Sequence, residues 1–152
     1  MRNLPALFLL VSSLAVRGGE IPTSRLRQIP RDLVVNREAL ALDQGPHAAL
    51  LEMAADAEAE GIHLRVSAGF RSEGARRRMD ASRKGEARRS AEWEKAHATG
   101  RAVDFAPANR GFASTKAYRW LKLNARKYGF SESLRKNPAG SNEPWRFNFI
   151  SR

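Results

Sequence analysis

The chain has 152 residues, 42% hydrophobic and 28% charged, the composition of one globular domain that can bury a core without disulfides or structural metals. Cysteine is absent, which excludes a disulfide framework, thiolate metal ligation, a cysteine nucleophile and a lipoprotein-type lipid anchor. Twenty-seven Lys and Arg against 16 Asp and Glu give a net charge of +11, which predicts attraction to polyanions such as nucleic acid, an acidic membrane or an anionic wall polymer.

Met1-Arg2-Asn3 makes a short positive start, and Leu4 to Val16 is almost wholly apolar but too short to span a bilayer as an ordinary helix. With Ser13 and Ala15 spaced as a cleavage site requires, residues 1–15 are expected to be an export signal that places the protein in the periplasm or outside the cell. Gly18, Gly19 and Pro22 mark residues 16–29 as a linker, and a single domain is expected over residues 30–152.

A helix is signalled by Pro46 in its first turn and by Leu50, Met53, Ala54 and Ala57 on one face, with Gly61 as its stop. Ile62, Leu64 and Val66 then alternate with His63, Arg65 and Ser67, the period of a half-buried strand that Gly69 closes. Residues 73–95 are helix-prone and rich in arginine, and Arg71 to Arg89 carries a net +5, the pattern of a solvated face.

Arg101 to Ala106 reads as a second strand, with Val103 and Phe105 on one face and Ala102 and Asp104 on the other. Ser114 or Thr115 can cap a helix lined by Ala117, Leu121, Ala125 and Tyr128 and ended by Gly129. After a turn-rich stretch from Asn137 to Pro144, Trp145, Phe147 and Phe149 alternate with Arg146, Asn148 and Ile150 in a last strand. The mixture predicts an α+β domain, a small antiparallel sheet flanked by helices.

His97-Ala98-Thr99-Gly100-Arg101-Ala102-Val103-Asp104 sets a loop histidine seven residues before a strand aspartate, a nitrogen and an oxygen donor that suit zinc. Alone, such a pair is more often a surface histidine and a structural carboxylate. The chain also holds Ser67-Ala68-Gly69-Phe70-Arg71-Ser72 upstream, Trp120-Leu121, Asn124-Ala125 and Lys127-Tyr128-Gly129-Phe130 further on, and Glu143-Pro144-Trp145 downstream. In this order the pieces resemble the zinc D-alanyl-D-alanine carboxypeptidases of the VanY type, over about residues 30 to 150.

The resemblance implies a metallopeptidase-like domain acting on the stem peptide of peptidoglycan. It implies His97 and Asp104 as zinc ligands, Glu143 as general base and acid, and Arg71 with Ser72 as substrate-binding groups. A carboxylate beside a zinc-bound water and a fixed guanidinium for a peptide carboxylate are what such chemistry needs.

Three positions depart from the family pattern. The final zinc-binding histidine is Arg146 here, and a guanidinium has no lone pair to give a metal. Only His47 and His63 could replace it, and neither matches a family ligand. Lys95-Ala96 precedes His97 where the family has a serine and a polar or acidic residue, and the glutamine common after Arg71 is not evident.

The leading expectation is zinc-dependent hydrolysis of a D-Ala-D-Ala or related bond. The alternative is a member that holds wall peptide or a partner without cutting it, with zinc weak or absent. A polyanion-binding protein is a third reading, which leaves His97, Asp104 and Glu143 unexplained. The expected partners are the stem peptide and anionic wall polymers, with no specific nucleic acid and a monomeric chain. His97 and Asp104 are expected to point into a cleft, so that their alanine variants lose metal and keep the fold. In a site without zinc, Arg146 is expected to pair with Asp104.

Overall fold

A computed structural model describes residues 21–35, 38–72, 74, 77–78, 96–134 and 142–151. The export signal expected over residues 1–15 lies outside the described residues, as do nearly all of the arginine-rich stretch 73–95 and most of the turn-rich stretch before Glu143.

The chain enters through a 3-10 turn, Thr23–Arg25, and strand β1, Leu26–Gln28, which pairs antiparallel with β2, Ala41–Asp43. Of the linker expected over residues 16–29, residues 26–28 are thus a paired strand, and residues 16–20 lie outside the described residues. Ile29 is fully buried in the core, and Arg25 donates through Nε and Nη2 to the two oxygens of Asp43 at 3.0 and 2.8 Å. Pro22 there precedes a turn that belongs to the domain.

Asp43 is also the N-cap of helix α1, Gln44–Ala59, its carboxylate accepting from the Gln44 N–H at 2.8 Å. The expected face is the buried one: Leu50, Met53 and Ala57 are inaccessible, with Pro46, Ala49 and Ala54 beside them. The alternation expected from Ile62 onward holds in the burial of Leu64 and Val66, but strand β3 covers only Val66–Ala68. Residues 62–65 alternate without a ladder, which alternation alone cannot guarantee.

Strand β4, Ala102–Phe105, lies beside β3. Thr115 rather than Ser114 caps helix α2, Lys116–Asn124, with Oγ1 accepting from the Tyr118 N–H at 3.0 Å. A 3-10 turn, Ala125–Tyr128, continues it to Gly129 at φ +85°, and strands β5, Phe130–Glu132, and β6, Arg146–Phe149, complete the sheet. The order β3-β4-β6-β5 is antiparallel throughout, so the domain is α+β with a small sheet and flanking helices, as expected.

One sheet face carries Val103, Phe105, Phe147 and Phe130 into a core shared with α1 and α2. Phe105 meets Phe147 edge-on at 5.7 Å and stacks on Phe112 at 6.4 Å. The other face is polar and still covered: all four residues of β4 are buried, Asp104 among them. That second burial is what shapes the site.

Candidate functional site

Register brings the site together. Asp104 on β4 and Arg146 on β6 are direct cross-strand partners, 42 positions apart in sequence. Alternation along β6 turns Phe147 into the aromatic core and therefore Arg146 to the opposite face, beside Asp104. The guanidinium docks both carboxylate oxygens in parallel, Nε to Oδ1 and Nη2 to Oδ2, each at 2.8 Å. This geometry gives direction as well as strength.

The third arm of the guanidinium serves Glu143. Arg146 Nη1 lies 2.9 Å from Glu143 Oε2, and the Arg146 N–H donates to the Glu143 carbonyl at 3.0 Å across the turn made by Pro144 and Trp145. Arg146 and Asp104 are 3% exposed and Glu143 is 5% exposed. A buried guanidinium is tolerated only where anions meet it, and here two do.

His97 is fully buried in a helical turn of residues 96–98. Gly100 completes that turn at φ +66°, and a side chain there would press on the Asp43 backbone nitrogen at 2.8 Å. The spacing from His97 to Gly100 is therefore a backbone requirement. His97 Nδ1 lies 2.6 Å from the Gly69 carbonyl, which can only accept, so Nδ1 carries a proton and Nε2 is turned toward Asp104, 3.3 Å from Oδ1.

Arg71 leaves β3 one bend later, its N–H bonded to the His97 carbonyl at 3.1 Å and its Nη2 3.9 Å from Asp104 Oδ2. Its side chain is 19% exposed, so it is the partly open member of the cluster, and Ser72 beside it is half-buried. Burial by itself would raise the Asp104 pKa. The His97 ring and the Arg146 guanidinium outweigh that effect and hold the carboxyl well below the usual carboxylate range.

The structure thus gathers His97, Asp104, Glu143, Arg146 and Arg71, and the pairing expected of Arg146 with Asp104 is present. The cleft expected around His97 and Asp104 is corrected: both are inside the protein, because the polar sheet face is covered. His47 and His63 are engaged elsewhere, His47 Nε2 with the Gln28 carbonyl at 3.0 Å and His63 Nδ1 with Glu58 at 2.6 Å. Sequence reasoning missed the Gly69 carbonyl that orients His97. It also missed Ser133, buried beside β6 with its N–H on the Arg146 carbonyl at 2.8 Å. A backbone acceptor leaves no side-chain signal.

Zinc does not fit this donor set as it stands. Both oxygens of Asp104 and one of Glu143 are held by a cation, and among the described residues no three His, Asp or Glu side chains gather as a ligand set. An ordinary catalytic zinc needs three protein ligands and an open position.

The sequence model of one family, described as VanY: D-alanyl-D-alanine carboxypeptidase, matches residues 39–152. Among solved structures, the LdcB LD-carboxypeptidase, described for peptidoglycan recognition, superposes with a TM-score of 0.63 at 26% identity, covering 88% of this chain and 71% of its own. VanYB in complex with D-alanine-D-alanine gives 0.58 at 25% identity, covering 89% and 83%. The vancomycin resistance D,D-pentapeptidase VanY in complex with Zn(II) gives 0.54 at 25%, covering 87% and 83%. No curated protein matches the chain significantly.

Proposed function

The chain belongs to the VanY family of D-alanyl-D-alanine carboxypeptidases, and from that premise we propose that it recognises the carboxyl-terminal end of peptidoglycan stem peptides and holds it without zinc-dependent cleavage. Recognition is supported by the neighbours: one is bound to D-alanine-D-alanine and another is described for peptidoglycan recognition. Export through residues 1–15 would bring the protein to that substrate.

The resemblance implies metal-assisted hydrolysis, and one neighbour holds Zn(II). The observation that favours holding over cutting is the position of Arg146. Its guanidinium engages Asp104, which the resemblance makes a zinc ligand, and Glu143, which the resemblance makes the general base. For Glu143 to take a proton from water, it would have to leave a buried cation. For Asp104 to bind a metal, two short charge-assisted bonds would have to break, with two positive charges then competing for one carboxylate. Arg71, half-buried at the edge of the cluster, is the group suited to pair with a peptide carboxylate.

Metal analysis of the purified protein, calorimetry with a pentapeptide ending in D-Ala-D-Ala, and assay of D-alanine release test this together. The expected result is peptide binding, zinc far below one equivalent and no release. One equivalent of zinc with turnover would restore the hydrolase reading; absence of peptide binding would refute recognition itself. Mass spectrometry of the native protein tests export, with a mature chain beginning near Val16 expected.

A further inference from the structure

Charge is segregated along this chain. Residues 105–131 carry six Lys and Arg and no acid, whereas residues 38–64 carry six Asp and Glu and no Lys or Arg. Of those six cations, Arg110 lies on the short 3-10 helix before α2, and the other five lie on α2 and the 3-10 turn after it. Their inward side, Trp120, Leu121, Ala125 and Tyr128, is buried in the core. The outward side presents Lys116, Arg119, Lys122, Leu123, Arg126 and Lys127, all exposed. On a helix, positions 116, 119, 123 and 126 fall on one stripe.

Two of these cations are neutralised within the fold, Lys122 by Glu132 at 2.6 Å and Lys127 by Asp56 at 3.5 Å. Lys116, Arg119 and Arg126 have no carboxylate partner among the described residues. At the helical rise these three span about 15 Å, room for several successive charges of a linear polymer.

We infer that the outward face of α2 docks a linear polyphosphodiester without bases, the chemistry of an anionic wall polymer. Nucleic acid fits poorly, because binding a single strand calls for exposed aromatic platforms and here Trp120 and Tyr128 are buried while the Tyr118 hydroxyl is bonded to Glu132. A bilayer fits poorly too: the apolar side of α2 is already in the core, and Leu123 is the single apolar side chain left outward. What remains is attraction between a row of cations and a chain of phosphates, with affinity governed by counterion release. The inference is independent of the proposed peptide site, since none of these residues belongs to it.

The test uses the full chain and a synthetic ten-unit poly(glycerol phosphate), with binding measured by calorimetry across a salt series. The triple variant Lys116→Gln/Arg119→Gln/Arg126→Gln should weaken binding about 10-fold or more and reduce the slope of log K against log salt by about 2. A control with the same net charge, Arg27→Gln/Arg31→Gln/Arg65→Gln, changes exposed cations elsewhere and should leave the slope as it was. Circular dichroism checks that both variants fold. Equal losses in both variants would reduce the effect to net charge and overturn the inference. So would tighter binding of a thymidine oligomer of equal length, or no binding of the polymer at all. Unchanged stem-peptide binding in the α2 variant separates this result from the fate of the peptide site.

Discussion

Arg146 and Asp104 face each other across β6 and β4 and close a two-point ion pair, both bonds at 2.8 Å, while the same guanidinium reaches Glu143 at 2.9 Å. One arginine thus ties together two carboxylates to which the family resemblance gives different tasks. The consequences can be measured.

Arg146→His removes the cation and supplies a nitrogen on the same sheet face as Asp104 and near His97 Nε2. Loss of a group that merely orients a ligand costs about 10 to 100-fold in metal affinity. Restoring a direct ligand while removing a competing cation should raise zinc affinity by at least about that factor, read by calorimetry. D-Alanine release should appear with it, and the Arg146→His/Glu143→Ala variant should bind zinc without turnover. If Arg146→His gains no zinc affinity, position 146 is not the missing ligand.

Asp104→Ala should destabilise the fold, contrary to the expectation of a tolerant cleft. It leaves the Arg146 guanidinium buried without its two-point partner, a loss of about 3–5 kcal/mol. Asp104→Ala combined with Arg146→Met should recover much of that loss, because neither charge is then stranded. Urea denaturation of the three proteins measures both effects. Equal stability of Asp104→Ala and the natural chain would mean that water reaches this pair.

Acid sensitivity follows from the same pair. Folding lowers the Asp104 pKa, so the native state binds this proton less readily than the unfolded chain. Its contribution to stability is fully present above the ordinary carboxylate pKa and is lost as pH falls through that value toward the lower folded one. Stability measured between neutral pH and strong acid should therefore drop less steeply in the Asp104→Ala/Arg146→Met variant than in the natural chain. Identical pH profiles would remove Asp104 as a source of the dependence.

Gly129→Ala should be destabilising for a backbone reason. Gly129 ends the turn after α2 at φ +85°, where an L residue costs about 1–2 kcal/mol. A methyl group there would also collide with the Ser151 carbonyl and stand 2.8 Å from Phe149 Cε2, which adds to the loss. Thermal unfolding should show a lower midpoint, and a shift within error would contradict the geometry.

Much of the site was legible locally. His97, Gly100 and Asp104 stand at spacings that a turn and a strand require, and alternation from Trp145 to Ile150 separates Arg146 from the aromatic side chains. Periodicity reports which residues share a face, because that depends only on neighbours along the chain. It correctly gave the buried sides of α1 and α2. It also overextended β3, because a strand exists only where a partner strand supplies hydrogen bonds, and Ile62 to Arg65 have the alternation without the ladder.

Tertiary structure alone decided the rest. The register of β4 on β6 places residue 104 opposite residue 146, a choice among many registers that local pattern leaves open. Packing then covers the polar face of the sheet, which turns His97 and Asp104 from cleft residues into buried ones and makes their charges interdependent. The same packing recruits Ile29 and β1 from what reads as a linker. Sequence determined the residues and the faces they share; long-range pairing determined that Arg146 would meet two carboxylates away from water, where an unpaired charge is costly and a paired one holds.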